Sequence, residues 1–231
     1  MKCARNFLKG IKILYEDEAV LVIDKPAGLL TTHTKLVGRA AREAQLTAAN
    51  VLTDYLRKGQ WKSSKCAFLV HRLDRETSGV MLFAKSEAIA EKLRERWNET
   101  TEKFYLARVQ GRLKSDHGVF ESYLKEDADG YRVRSVRPLT PGAKRSKTEW
   151  WLRGTEVLVR LHSGRKNQIR VHFSEAGYPI VGDEKYGGGK ASRLYLHSWK
   201  LKFRHPISGK EFCFTAESPD FSNPMSSENM I

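Results

Sequence analysis

At 231 residues the chain is long enough for a domain with a full hydrophobic core, and its 41 Lys and Arg against 27 Asp and Glu leave a net charge of +14. That excess suits a polyanionic partner, because each phosphate neutralised releases condensed counterions, although a basic chain also serves solubility alone. Cys3, Cys66 and Cys213 fit neither a disulfide framework nor paired zinc ligands, no secretion-type apolar segment opens the chain, and no apolar run reaches membrane-spanning length; a cytoplasmic, reducing location is the expectation.

Residues 1–10 and 222–231 read as loosely held termini around one domain over 11–221. Two strands are predicted, from Ile11 to Tyr15 and from Ala19 to Asp24, joined by the acidic turn Glu16-Asp17-Glu18 and stopped at Lys25-Pro26-Ala27-Gly28. Thr47 can cap a helix whose Val51, Leu52, Tyr55 and Leu56 share a face, with Gly59 at its end. Val80-Met81-Leu82-Phe83-Ala84 reads as a buried strand, and from about Ser86 a helix sets Ile89, Leu93 and Trp97 one turn apart above a charged face. Strands follow around 103–110, 119–124, 131–137, 147–153 and 155–162, then a helix over roughly 166–176 that stops at Gly177 with Pro179 beyond. The end holds the strands 199–203 and 211–215 around the turn His205-Pro206-Ile207-Ser208-Gly209. Many strands in runs with few helices between them indicate an α+β fold with a largely antiparallel or mixed sheet.

The stretch His71-Arg72-Leu73-Asp74-Arg75-Glu76-Thr77-Ser78-Gly79 places one carboxylate, Asp74, on a turn before the buried strand. There it is held still and can face a cleft, and Arg72 and Arg75 would favour its ionised, nucleophilic form. By composition alone the same residues also make an ordinary solvated turn. Tyr105 alternates with Phe104 and Leu106, which suits either a half-buried core ring or a ring facing a site. Arg170 can hold a carboxylate in a fixed orientation with its planar guanidinium, or it can be an exposed helix residue.

As whole strings, these segments resemble the RluA-type RNA pseudouridine synthases. HRLDRETSGVMLFAK over 71–85 is similar to the family's catalytic motif, and Lys103, Tyr105, Ala107, Val109 and Gly111 fit K-x-Y-x-A-x-V-x-G. Residues 162–172, followed by 177–187, are similar to GRxHQIRVH and GxPIxGDxxYG, although Asn167 stands where histidine is usual and Ser163 where threonine is common. Leu196-His197 with His205-Pro206 matches LHxxxLxFxHPxxG, and Asp24-Lys25-Pro26-Ala27-Gly28 matches the first family motif.

The resemblance spans roughly residues 11–221. It implies one catalytic domain around a long bent sheet flanked by helices, an isomerase that converts RNA uridine to pseudouridine. Asp74 would be the nucleophile, Tyr105 the ring stacked on a flipped-out base, and Arg170 the partner of the aspartate. Arg72 would help displace the target base or touch a phosphate, and Leu196 would pack near the flipped base or simply fill the core. Lys25 would be structural or phosphate-facing. The family often carries an N-terminal RNA-binding module; here the catalytic pattern starts almost at once, so the domain is expected to select RNA by itself, as a monomer.

The reaction detaches uracil from C1′, turns the ring and rejoins it through C5, so one carboxylate in a closed pocket suffices in principle and no cofactor is expected. The carboxylate can attack the sugar or the base, or take a proton from C2′; the residues do not separate these routes. HExxH, paired CxxC and HxE…PCxxC are all missing from the sequence, so no metal is expected, and Asp183-Glu184 reads as a solvated turn. The expected partner is a stem-loop of ribosomal or transfer RNA. A non-catalytic RNA-binding protein and a base-excising glycosylase are the other readings of the same residues.

Overall fold

The computed structural model describes residues 8–33, 45–60 and 62–222. Most of the two termini expected to be loose, and Cys3, lie outside that range. The chain is α+β, a mixed sheet with few helices, and it divides into two compact units. The first comprises 1–101 and 201–216, and the second 102–200 and 217–231.

In the first unit, β1 (Lys12–Glu16), β2 (Val20–Lys25) and β4 (Ser78–Ala84) form an antiparallel ladder, with Val20 opposite Ala84 and Lys25 opposite Gly79. The two-residue strand β3 (Phe68–Leu69) pairs with β4 as well. Every residue of β4 is buried, which is why its sequence reads as a continuous apolar run rather than an alternation. Val20, Val22, Val80 and Leu82 pack with Leu93 from helix α2 (Glu87–Glu95) and with Leu201 and Phe203. Helix α1 (Ala48–Arg57) starts where the Thr47 hydroxyl accepts from the Asn50 amide at 3.1 Å and ends at the left-handed Lys58. Ser86 caps α2 in the same way.

In the second unit the strand order is β5 (Thr101–Ala107), β9 (Glu156–Leu161), β8 (Lys144–Arg153), β6 (His117–Glu126) and β7 (Val133–Val136), each pair antiparallel. Helix α3 (Gln168–Glu175) presents Val171 to Leu124 and Val133, and its Phe173 meets Phe120 edge-on at 5.2 Å. Leu106, Trp199 and Phe221 form a separate cluster. Strand β10 (Leu196–Arg204) gives 196–200 to the second unit and 201–204 to the first, where it pairs with β11 (Glu211–Thr215).

Candidate active site

In the first unit the backbone around Asp74 is tied off on both sides. Before it, the buried Thr31 hydroxyl donates to the Leu73 carbonyl at 2.7 Å and accepts from the Leu73 amide at 3.3 Å. After it, the Arg75 carbonyl accepts from the Gly28 amide at 2.8 Å and from the Lys25 ammonium at 3.2 Å, and the Thr77 amide closes a turn onto the Asp74 carbonyl at 3.2 Å. His71 anchors the entry: its Nε2 accepts from the Leu82 amide at 3.0 Å, and its ring stacks on Trp97 with centroids 4.8 Å apart. The Asp74 side chain itself is half-buried.

Lys25 is fully buried, and its ammonium also donates to the carbonyls of Pro26 at 2.9 Å and Leu29 at 2.8 Å. Of its two sequence readings, the structural one therefore describes this conformation: the lysine staples the 25–29 loop to the Asp74 turn. The phosphate-facing reading does not describe this conformation, since the side chain has no exposed surface. Arg72 is exposed. Arg75, read from sequence as a second cation favouring the ionised Asp74, gives its Nε to Glu76 at 2.9 Å.

In the second unit, Tyr105 on β5 is 6% exposed and lies opposite Val159. Lys103, two residues earlier and hence on the same strand face, is buried; burial, reinforced by the charge of Arg165, pushes its pKa down to about 8. Leu196 is also buried.

Arg170 is buried on α3, which removes the exposed-helix reading. Within its unit it is gripped by Asp183, with Nε to Oδ2 and Nη2 to Oδ1 both 2.7 Å, and its guanidinium lies over the Tyr186 ring at 5.2 Å. Asp183 is thus no solvated turn residue. It sits at the head of a 3-10 turn over Glu184–Tyr186, and the glycines around it permit the close folding: a Cβ on Gly188 would lie 1.7 Å from the Ile180 carbonyl oxygen. Sequence reasoning did not pair Asp183 with Arg170, although the aspartate stands in the GxPIxGDxxYG string.

The turn before α3 is held by Gln168, whose Oε1 accepts from the Ser163 hydroxyl at 2.8 Å and the Arg165 amide at 3.0 Å. Its Nε2 donates to the Lys147 carbonyl and the Thr148 hydroxyl. The two departures from the family pattern both have local work here. Ser163 supplies the hydroxyl of that clasp and accepts from the Lys147 amide at 3.0 Å. Asn167 sits at φ 52°, a left-handed conformation that asparagine tolerates well, and its Oδ1 accepts from Lys185 and the Tyr186 hydroxyl. Asp74, Arg72 and Lys25 thus belong to the first unit, and Tyr105, Arg170 and Leu196 to the second. Among the described residues, no group of three or more His, Cys, Asp or Glu is arranged to hold a metal ion.

The chain thus combines an α+β fold with a pinned carboxylate turn in the first unit and a buried arginine clasp in the second. The family model for RNA pseudouridylate synthases matches residues 19–175, so the chain belongs to that family and is an isomerase of RNA uridine. An uncharacterized RNA pseudouridine synthase of Aquifex aeolicus is 31% identical over 91% of this chain and 70% of its own. Ribosomal large subunit pseudouridine synthase C of Haemophilus influenzae is 33% identical over 89% of this chain; this chain spans 64% of that protein. The solved human RNA pseudouridylate synthase domain containing 4 shares the fold, with a TM-score of 0.70, 24% identity, and coverage of 94% of this chain and 92% of its own.

Proposed function

We propose that the chain isomerises particular uridines in ribosomal or transfer RNA, with Asp74 as the nucleophile, the target base flipped out and stacked on Tyr105, and Arg170 as the arginine assigned to the catalytic carboxylate. The Asp74 turn is the observation that carries this reading. Its backbone is fastened by Thr31, Gly28 and Lys25 while its side chain keeps partial exposure, which is what a nucleophile approached by a flipped base requires. The ribosomal assignment draws on relatives named for the large subunit, and transfer RNA is kept as the alternative that the stem-loop expectation allows.

In the net reaction the N1–C1′ bond breaks, the C5–C1′ bond forms, C5 loses its hydrogen to solvent and N1 gains one. RNA carrying tritium at uracil C5 therefore reports turnover as tritiated water. Asp74→Asn keeps the shape and the backbone ties but removes the nucleophile. It is expected to release no tritium while binding the same RNA within about twofold of the parent, as only one charge among many is lost. Appreciable release from the purified variant would sink the assignment of Asp74.

A further inference from the structure

The second unit carries a concave site of about 350 Å³ where the ends of β6 and β8 meet the turn before α3. Lys144, Arg165 and Lys166 line it, against one carboxylate, Glu126; Lys125 also borders it, but strand alternation puts its side chain on the opposite face of β6 from Glu126 and Lys144. Glu126 is taken by Lys166 at 2.6 Å. Among the described residues no carboxylate pairs with Lys125, Lys144 or Arg165, and Arg165 spends only its Nε, on the Arg145 carbonyl at 3.2 Å. Other cations nearby are neutralised: Arg145 and Lys147 of β8 share Glu121, and Arg134 of β7 takes Asp127.

Gly164 forms part of its wall, and a Cβ there would stand 4.0 Å from the ammonium of Lys103.

We propose that this hollow binds a phosphodiester of the RNA substrate and so helps to position the strand. Lysines and a guanidinium with free N–H groups are the donors that hold phosphate, and such contacts position a strand without reading its sequence. The inference rests on the proposed RNA substrate but not on the identity of the nucleophile.

The test pairs two double variants, one inside the hollow and one on carboxylate-paired cations outside it. Lys144→Gln with Arg165→Gln removes two uncompensated charges from exposed or half-exposed positions, whereas Arg134→Gln with Arg145→Gln removes two that are already paired. Binding of a fluorescein-labelled RNA hairpin with a uridine-containing loop is measured across a salt series, with tritium release where turnover is seen. The hollow variant is expected to flatten the salt slope by about one per cation removed and to weaken binding on the order of tenfold, raising KM with kcat kept. The outer variant is expected to change neither. Equal losses in both variants would mean diffuse charge rather than a site, and no loss in the hollow variant would mean no phosphate is held there; either overturns the proposal. Should the parent bind the hairpin without isomerising any RNA, the catalytic reading fails while the salt slopes still decide the hollow.

Discussion

Lys25 is a charged side chain with no exposed surface, and what it does follows from where its ammonium points. It satisfies the carbonyls of Pro26, Leu29 and Arg75 at the foot of the Asp74 turn. Lys25→Met keeps the length and apolar stem but takes the donor away from those carbonyls, and is expected to cost about 2 kcal/mol in denaturant unfolding. It should also lower kcat more than it raises KM, because the turn that carries Asp74 loosens while RNA-facing groups stay. A rise in KM alone would restore the phosphate reading. At Tyr105, the ring and the hydroxyl can be separated. Tyr105→Phe is expected to keep turnover near the parent, and Tyr105→Ala to lose a stacked base worth about 1–3 kcal/mol. The ring is also buried, so the melting temperature of Tyr105→Ala has to be read beside its kinetics. Equal inactivation by both changes would show that the hydroxyl takes part.

Helix α3 carries, two residues after Arg170, a buried histidine: His172 is held with Nε2 at 2.9 Å from the Ser122 hydroxyl and Nδ1 at 2.8 Å from the Thr148 hydroxyl. Burial pushes its pKa from 6.5 down to about 4. The native state therefore holds this ring neutral where an unfolded chain would protonate it. Its stabilising share is complete above pH 6.5 and is lost as the pH falls toward 4, on the order of 3 kcal/mol across that window. Melting temperatures measured from pH 7 to 4 should fall, and the fall should shrink in His172→Gln; an unchanged profile in that variant would exclude the histidine as the cause. The same helix shows what sequence could and could not tell. Its apolar spacing and Gly177 located it, yet it begins at Gln168 rather than 166, because Asn167 is left-handed and the preceding turn is fastened by the side chains of Ser163 and Gln168. Periodicity carries no trace of such clasps. It likewise missed β3, two residues long, whereas the continuous apolar run of β4 and the caps Thr47 and Ser86 were plain. Asp183 was legible as a motif letter but not as the partner of Arg170, since pairing across 13 residues depends on how the intervening turn folds.

At the scale of the whole chain, the recognisable strings are shared between two compact units, with the HRLD turn in the first and the K-x-Y strand and QIR helix in the second. The charge belongs to the chain as a whole: +14 over 231 residues, with many basic side chains, Arg72 among them, exposed. Binding to RNA should accordingly weaken steeply with salt. Charge alone selects nothing, so discrimination among RNAs has to come from bases that can be reached. A-form duplex hides its base edges in a deep, narrow groove, while loops offer unpaired bases that splay out at little cost, and a uridine already unstacked is the cheapest to flip. The target is therefore expected in or beside the loop of a stem-loop in ribosomal or transfer RNA. Mapping pseudouridine across total RNA from cells with and without the gene should show one or two such positions disappearing, and returning when the parent chain but not Asp74→Asn is supplied. If the only lost positions lay in mid-duplex, or only in messenger RNA, the accessibility argument would be wrong even with the chemistry intact.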